Sequence, residues 1–170
     1  MDVYEAIKER RSIRAFEERD IEEEKISKIL DAGRLAPSAN NKQDWKFVVV
    51  RDKDKRKRLI KAAKGQEFVG EAPAVLVMCA TQSDKVMSCG QPAYTIDLSI
   101  ALSFMVLEAT ELGIGGCWIG AFLEDEVKKV CDIPDNVRVV AIFPLGYPAE
   151  NPNPRPRKKL NEVVCFDSYK

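Results

Sequence analysis

Arg10-Arg11-Ser12-Ile13-Arg14 places three guanidiniums and one hydroxyl within five residues, directly after a short amphipathic segment. Upstream, Asp2 and Glu5 have the spacing of a capping box, and Val3, Ala6 and Ile7 form an apolar stripe that ends near Glu9. A short helix is therefore expected, and side chains just beyond its end can turn toward a shared ligand. Arginine suits phosphate because its planar fork donates two parallel hydrogen bonds and stays charged at any relevant pH. The competing reading is a basic face that is merely solvated or is paired with the nearby Glu17, Glu18 and Asp20.

The bulk properties narrow the choice. A chain of 170 residues that is 45% hydrophobic can build one domain with a full core and is too short for two ordinary ones. Lys plus Arg equals Asp plus Glu at 27 each, so no global field draws the protein to nucleic acid or to an anionic membrane, and anion recognition must be local. Charged residues begin at Asp2 with no apolar h-region behind them, and a cytoplasmic location is expected. The longest apolar segment, Tyr94 to Leu112, is interrupted by Asp97, Ser99, Ser103, Glu108 and Glu111 and reads as a buried helix, not a membrane span.

Five scattered cysteines without a CxxC pair argue against a zinc site or a disulfide framework and read as small core hydrophobes. The absence of histidine removes Ser-His-Asp, Cys-His and HExxH chemistry. An enzyme built this way relies on carboxylates and lysines, or on a cofactor.

Along the chain, Asp20 with Glu23 gives a second capping-box signal for a helix over Ile21 to Leu35, stopped by Pro37. The amide-rich loop Pro37 to Trp45 leads into a strand from Lys46 to Arg51. Asp52 to Lys64 reads as a helix with a solvated basic face, and Gly65 to Gly70 as a flexible connection. Ala74 to Ala80 is apolar throughout and reads as a strand buried on both faces. After the loop Ser83 to Pro92, the helix from Ala93 to Leu112 is apolar on more than one side, so a partner subunit is a natural cover for its second face. Gly113 ends it, and the small stretch Gly115 to Phe122 allows close backbone approach to a flat ligand. A helix from Leu123 to Cys131 and a strand from Val137 to Tyr147 follow. The proline-rich tail Pro148 to Pro156 is extended and delivers Arg157, Lys158 and Lys159 to a short strand-like segment, Leu160 to Phe166.

Four motifs in this order resemble the nitroreductase family of flavin mononucleotide enzymes over essentially the whole chain. They are Arg10 to Arg14; Ala36-Pro37-Ser38 with Asn41, Gln43 and Trp45; Gly113 to Ala121 after the long helix; and Arg157 with Lys159 before Leu160-Asn161-Glu162. The chain departs from the pattern at Asp44, where the family usually has proline, and around Lys64 to Gly70, where longer relatives place an asparagine and a lysine near the flavin.

The resemblance implies an α+β fold, a central mixed sheet flanked by helices, in an intertwined homodimer with the 148–170 segment docking on the partner. It also implies FMN as cofactor and NADH or NADPH as electron donor. By the same resemblance Arg10, Ser12, Arg157 and Lys159 would hold the phosphate and ribityl chain, with Arg14 nearer the pyrimidine ring and Arg11 also among the cofactor-binding residues. Pro37, Ser38 and Ala39 would come from the other subunit, and Asn41 and Gln43 would either touch the flavin or fix that loop. Backbone N–H groups at Gly120 or Ala121 would face flavin N5, with Ile119 beside them among the cofactor-binding residues. The implied activity is two-step hydride transfer through the flavin to a nitroaromatic, a quinone or a similar small-molecule acceptor, with no catalytic side chain or metal. Reductive dehalogenation, a flavin-consuming reaction, or flavin storage without fast turnover are the alternatives.

Overall fold

The computed structural model describes residues 1–169. Helices α1 (Val3–Glu9) and α2 (Glu23–Arg34) precede strand β1 (Trp45–Val50), helices α3 (Lys53–Ala62) and α4 (Phe68–Glu71), and strand β2 (Ala74–Ala80). Helix α5 (Ala93–Glu111), the two-residue strand β3 (Gly115–Gly116), helix α6 (Glu124–Cys131) and strand β4 (Arg138–Gly146) complete the body.

Strand β2 explains the layering. Its side chains alternate between the two faces of the sheet, and each face meets its own set of helices. Ala74, Leu76, Met78 and Ala80 join Phe143 and Leu145 of β4, Ile26 and Ile29 of α2, and Leu98, Leu102 and Met105 of α5. Val75, Val77 and Cys79 join Leu59 of α3, Val69 of α4, and Val127 and Val130 of α6. The result is a sheet sandwiched between two helical layers. Helices α2 and α5 approach closely because Gly33 has no side chain: a Cβ there would lie 2.0 Å from Met105 Cε.

The sheet runs in the order β1-β2-β4-β3. All three ladders are antiparallel, and the parallel component of the expected mixed sheet is confined to the isolated bridge between Ser12 and Gly116. That bridge matters for the site. Ile13 N–H donates to Gly116 O at 3.0 Å, Glu17 N–H to Tyr147 O at 2.9 Å and Ala149 N–H to Ala15 O at 2.9 Å. The segment after α1 is thus strung between β3 and the start of the tail, which brings the two ends of the chain together.

The capping box at Asp2 and Glu5 is present. Gly113, at φ +74, closes α5 through Gly113 N–H to Thr110 O and Ile114 N–H to Ala109 O, a Schellman end. One helix, α5, is long and apolar enough to cross a membrane by composition, but Leu98, Leu102 and Met105 pack it into the core.

Three local expectations are corrected. Helix α2 begins at Glu23 without a side-chain cap, because the preceding Glu22 is drawn away to Arg19 and the Tyr147 hydroxyl. Gly65 to Gly70 is not a flexible connection: α4 packs on α3, and Arg56 Nη1 donates to the carbonyls of Gly70 and Ala72. The tail holds no strand; it makes a single 3₁₀ turn at Leu160–Glu162 and leaves Leu160, Val163 and Phe166 exposed.

Candidate functional site

Both ends of the chain meet at a cleft of about 530 Å³. Arg10, Ser12 and Arg14 line one wall, and the tail, with Arg157, lines the other. Arg10 and Ser12 also border a smaller, mostly apolar cavity of about 290 Å³ with Val106, Leu107, Trp118 and Phe143.

Backbone pairing positions this wall. Main-chain hydrogen bonds tie Ile13 to β3, and Ile13 is buried. Glu150 Oε1 accepts the N–H groups of Arg14 and Ala15. Ser12 and Arg14 flank buried Ile13, and the cleft they line lies away from the core.

The pairing of this basic stretch with Glu17, Glu18 and Asp20 does not form among the described residues. Among the described residues, none of the ion pairs involves Arg10, Arg11, Arg14, Arg155 or Arg157. Arg14 sits with its guanidinium carbon 5.9 Å from the centroid of the Phe68 ring. Cys117 lies beneath the cluster. Burial pushes its thiol up, while Arg14, the Ser12 hydroxyl and Arg10 pull it the other way.

The other sequence-derived residues are distributed less simply. Arg11 folds back over the end of α1, with Nη1 donating to Lys8 O at 2.6 Å and Arg10 O at 3.0 Å. Lys159 does not line the cleft; the chain turns there, and its N–H donates to Glu162 Oε2 at 2.7 Å. Ile119 is a core residue, because its N–H and carbonyl both pair with Ile142. Gly120 and Ala121 beyond it are exposed, and a Cβ on Gly120 would meet nothing within 4 Å.

Pro37, Ser38, Ala39, Asn41 and Gln43 are not brought to this cleft within one chain. Their loop has a fixed shape all the same. Asn40, Asn41 and Gln43 take positive φ of 53 to 56, Ser38 Oγ accepts the Gln43 N–H at 3.0 Å, and Gln43 Nε2 donates to Asn41.

Several residues that shape the site are not singled out by the motifs. Gln66 Nε2 donates to Ala63 O at 2.9 Å and Ala121 O at 3.3 Å, joining the start of α4 to the exposed Gly120-Ala121 backbone. Asp97, buried on α5, accepts the Ala39 N–H at 3.0 Å. Lys85 Nζ reaches Ala39 O at 3.4 Å. The one available signal was Asp97, an acid inside an apolar helix.

With this geometry in view, the sequence profile described as the Nitroreductase family matches residues 7–83 and 61–147. The chain belongs to the nitroreductase family. A relative from Methanothermobacter thermautotrophicus is 40% identical over 161 residues, covering 91% of this chain and 82% of its own. A nitroreductase family protein of Clostridium novyi NT superposes with a TM-score of 0.84 at 39% identity, covering 88% of this chain and 87% of that one. The NADPH:FMN oxidoreductase of Vibrio harveyi, solved with NAD+, superposes with a TM-score of 0.89 at 30% identity over 99% of this nitroreductase-family chain and 78% of its own.

Proposed function

We propose that this nitroreductase-family protein is an FMN-dependent oxidoreductase that takes reducing equivalents from NAD(P)H and passes them to a small electrophile such as a nitroaromatic or a quinone. The observation that carries the proposal is the cleft that Arg10, Ser12, Arg14 and Arg157 line together, with neither Asp nor Glu in its lining among the described residues. Such a site is built for a dianionic phosphate. The Vibrio harveyi neighbour is named an NADPH:FMN oxidoreductase, and the residues present here fit that cofactor.

When bound, FMN would supply two-step hydride transfer between donor and acceptor. The chain's own residues then have distinct tasks. Arg10, Ser12 and Arg157 hold the phosphate. Arg14, parked over Phe68 near the Gln66 link to Ala121, is a fixed cation placed for the pyrimidine edge, where it favours the more negative reduced state electrostatically. Gly120 keeps the ring's approach open because its missing Cβ faces free space. No side-chain nucleophile is needed, in keeping with a chain that has no histidine.

A homodimer completes this reading. Phe104 on α5 and Leu160, Val163 and Phe166 on the tail are exposed, which leaves apolar surface on the long helix and on the segment that follows Arg157. A second copy would cover it, dock the 148–170 segment, and present its own rigid Pro37 to Gln43 loop to the flavin. The protein would act in the cytoplasm.

The test is flavin retention followed by turnover. The purified protein is expected to be yellow, and NADH or NADPH is expected to bleach it within seconds in stopped-flow mixing. Arg10→Ala with Arg157→Ala is expected to weaken flavin binding by a few kcal/mol, since each removes a charge-assisted hydrogen bond of about 1.5–3 kcal/mol. Full flavin content in the double variant after gel filtration refutes the site, and a flavin that stays oxidised refutes the enzyme in favour of storage.

A further inference from the structure

The cleft holds more positive charge than one flavin phosphate uses. Lys8 and Arg155 line it together with Arg10, Arg11, Arg14 and Arg157, and neither Asp nor Glu is among its lining residues. A phosphate monoester carries about −1.5 to −2 charges near neutral pH, which leaves several cations unbalanced. This is unusual for the molecule as a whole, whose charges cancel at 27 each. Elsewhere Arg19, Arg34, Arg51, Lys55, Lys129 and Arg138 all sit in ion pairs. Like charges gathered without partners cost stability and persist where a ligand offsets them.

An aromatic platform shares the cleft with this surplus. Tyr4 lines it and is 67% exposed, with Lys8 Nζ 4.8 Å from its ring centroid. Facing α1, Arg155 stands between Pro154 and Pro156, whose rings fix the backbone of that part of the tail. An exposed aromatic ring with Lys8 over it and Arg155 in the lining of the same cleft has the makings of a purine nucleotide subsite, the base stacking and the phosphate paired.

The geometry points to Tyr4, Lys8 and Arg155 as the subsite for the 2′-phosphorylated adenosine half of NADPH, so that the protein discriminates NADPH from NADH within the flavin cleft. This rests on the flavin site proposed above. NADH offers the same base and diphosphate but lacks the 2′-phosphate, and only that group distinguishes the two donors. Lys8 and Arg155 are therefore specificity residues that touch neither the flavin nor the reacting atoms.

The experiment uses the flavin-loaded protein and reads binding directly by calorimetry, with adenosine 2′,5′-bisphosphate and adenosine 5′-monophosphate as probes. The bisphosphate is expected to bind about tenfold or more tightly than the monophosphate, in a salt-sensitive way. Lys8→Ala with Arg155→Ala is expected to erase that difference and to raise KM for NADPH toward that for NADH, with flavin content and kcat unchanged. Among the described residues neither belongs to an ion pair, so the double variant should fold as the parent does. Equal binding of the two probes overturns the proposal. So does flavin loss in the double variant, which would assign these cations to the flavin phosphate, or recovery of the protein with FAD whose adenosine half fills the subsite. Flavin content is measured first. A protein that takes up no flavin sinks the underlying site reading, whereas a flavin-loaded protein indifferent to the 2′-phosphate sinks this inference alone.

Discussion

Gly116 and Gly120 lie four residues apart in one small-residue stretch, and the structure gives them opposite reasons for being glycine. At Gly116 a Cβ would lie 2.4 Å from Phe143 Cζ, 2.5 Å from Pro144 O and 2.7 Å from Phe143 Cε1. Phe143 is fully packed in the core, and Pro144 O already accepts the Cys117 N–H at 3.2 Å, so neither neighbour can step aside cheaply. Overpacking of this kind costs about 1–3 kcal/mol. In a domain of this size each kcal/mol is worth about 2–4 °C, so Gly116→Ala should lower Tm by roughly 2–12 °C. At Gly120 a Cβ meets nothing within 4 Å, so Gly120→Val should leave the Tm of the flavin-free protein unchanged. It should instead lower flavin occupancy or slow flavin reduction. Differential scanning calorimetry of both apo variants, with the visible flavin spectrum of both loaded ones, separates the two effects. Equal Tm losses, or a Gly120→Val protein with normal flavin content and reduction rate, refute the division of this stretch into a packed half and a ligand-facing half.

Two further outcomes follow from ionisation. Glu22 is held down at about 2, against an ordinary 4.5, chiefly by the Tyr147 hydroxyl and then by backbone and Arg19 contacts. A depressed carboxyl stabilises the folded state above its unfolded pKa, and that contribution drains away as pH falls from about 4.5 toward about 2. Glu22→Gln should therefore flatten the dependence of Tm on pH in that window, and an unchanged slope would remove Glu22 from the acid response. Burial pushes the Cys79 thiol up to about 12 and the Cys131 thiol up to about 11. Neither should react with Ellman's reagent at pH 8 until denaturant is added, and prompt labelling of either would contradict its packing.

What could be read from the sequence divides by the range of the interaction. Val75, Leu76 and Val77 announce a strand buried on both sides by local pattern alone, and both core layers do meet there. The stop at Gly113 is equally local. The start of α2 is not local: Asp20 and Glu23 had the right spacing, but Glu22 bonds Tyr147, and Lys25 Nζ reaches both Tyr147 Oη at 2.9 Å and Leu112 O at 3.1 Å. Partners more than 80 residues away outcompeted a cap worth about 1 kcal/mol. Lys159 and Arg157 show the same limit at the site. They are two residues apart on an extended proline-rich tail, yet only Arg157 lines the cleft, because the 3₁₀ turn at Leu160 redirects the chain. Charge type alone marks a residue as able to bind an anion. Whether it does depends on contacts the main chain makes elsewhere, as the 3₁₀ turn at Leu160–Glu162 does for Lys159.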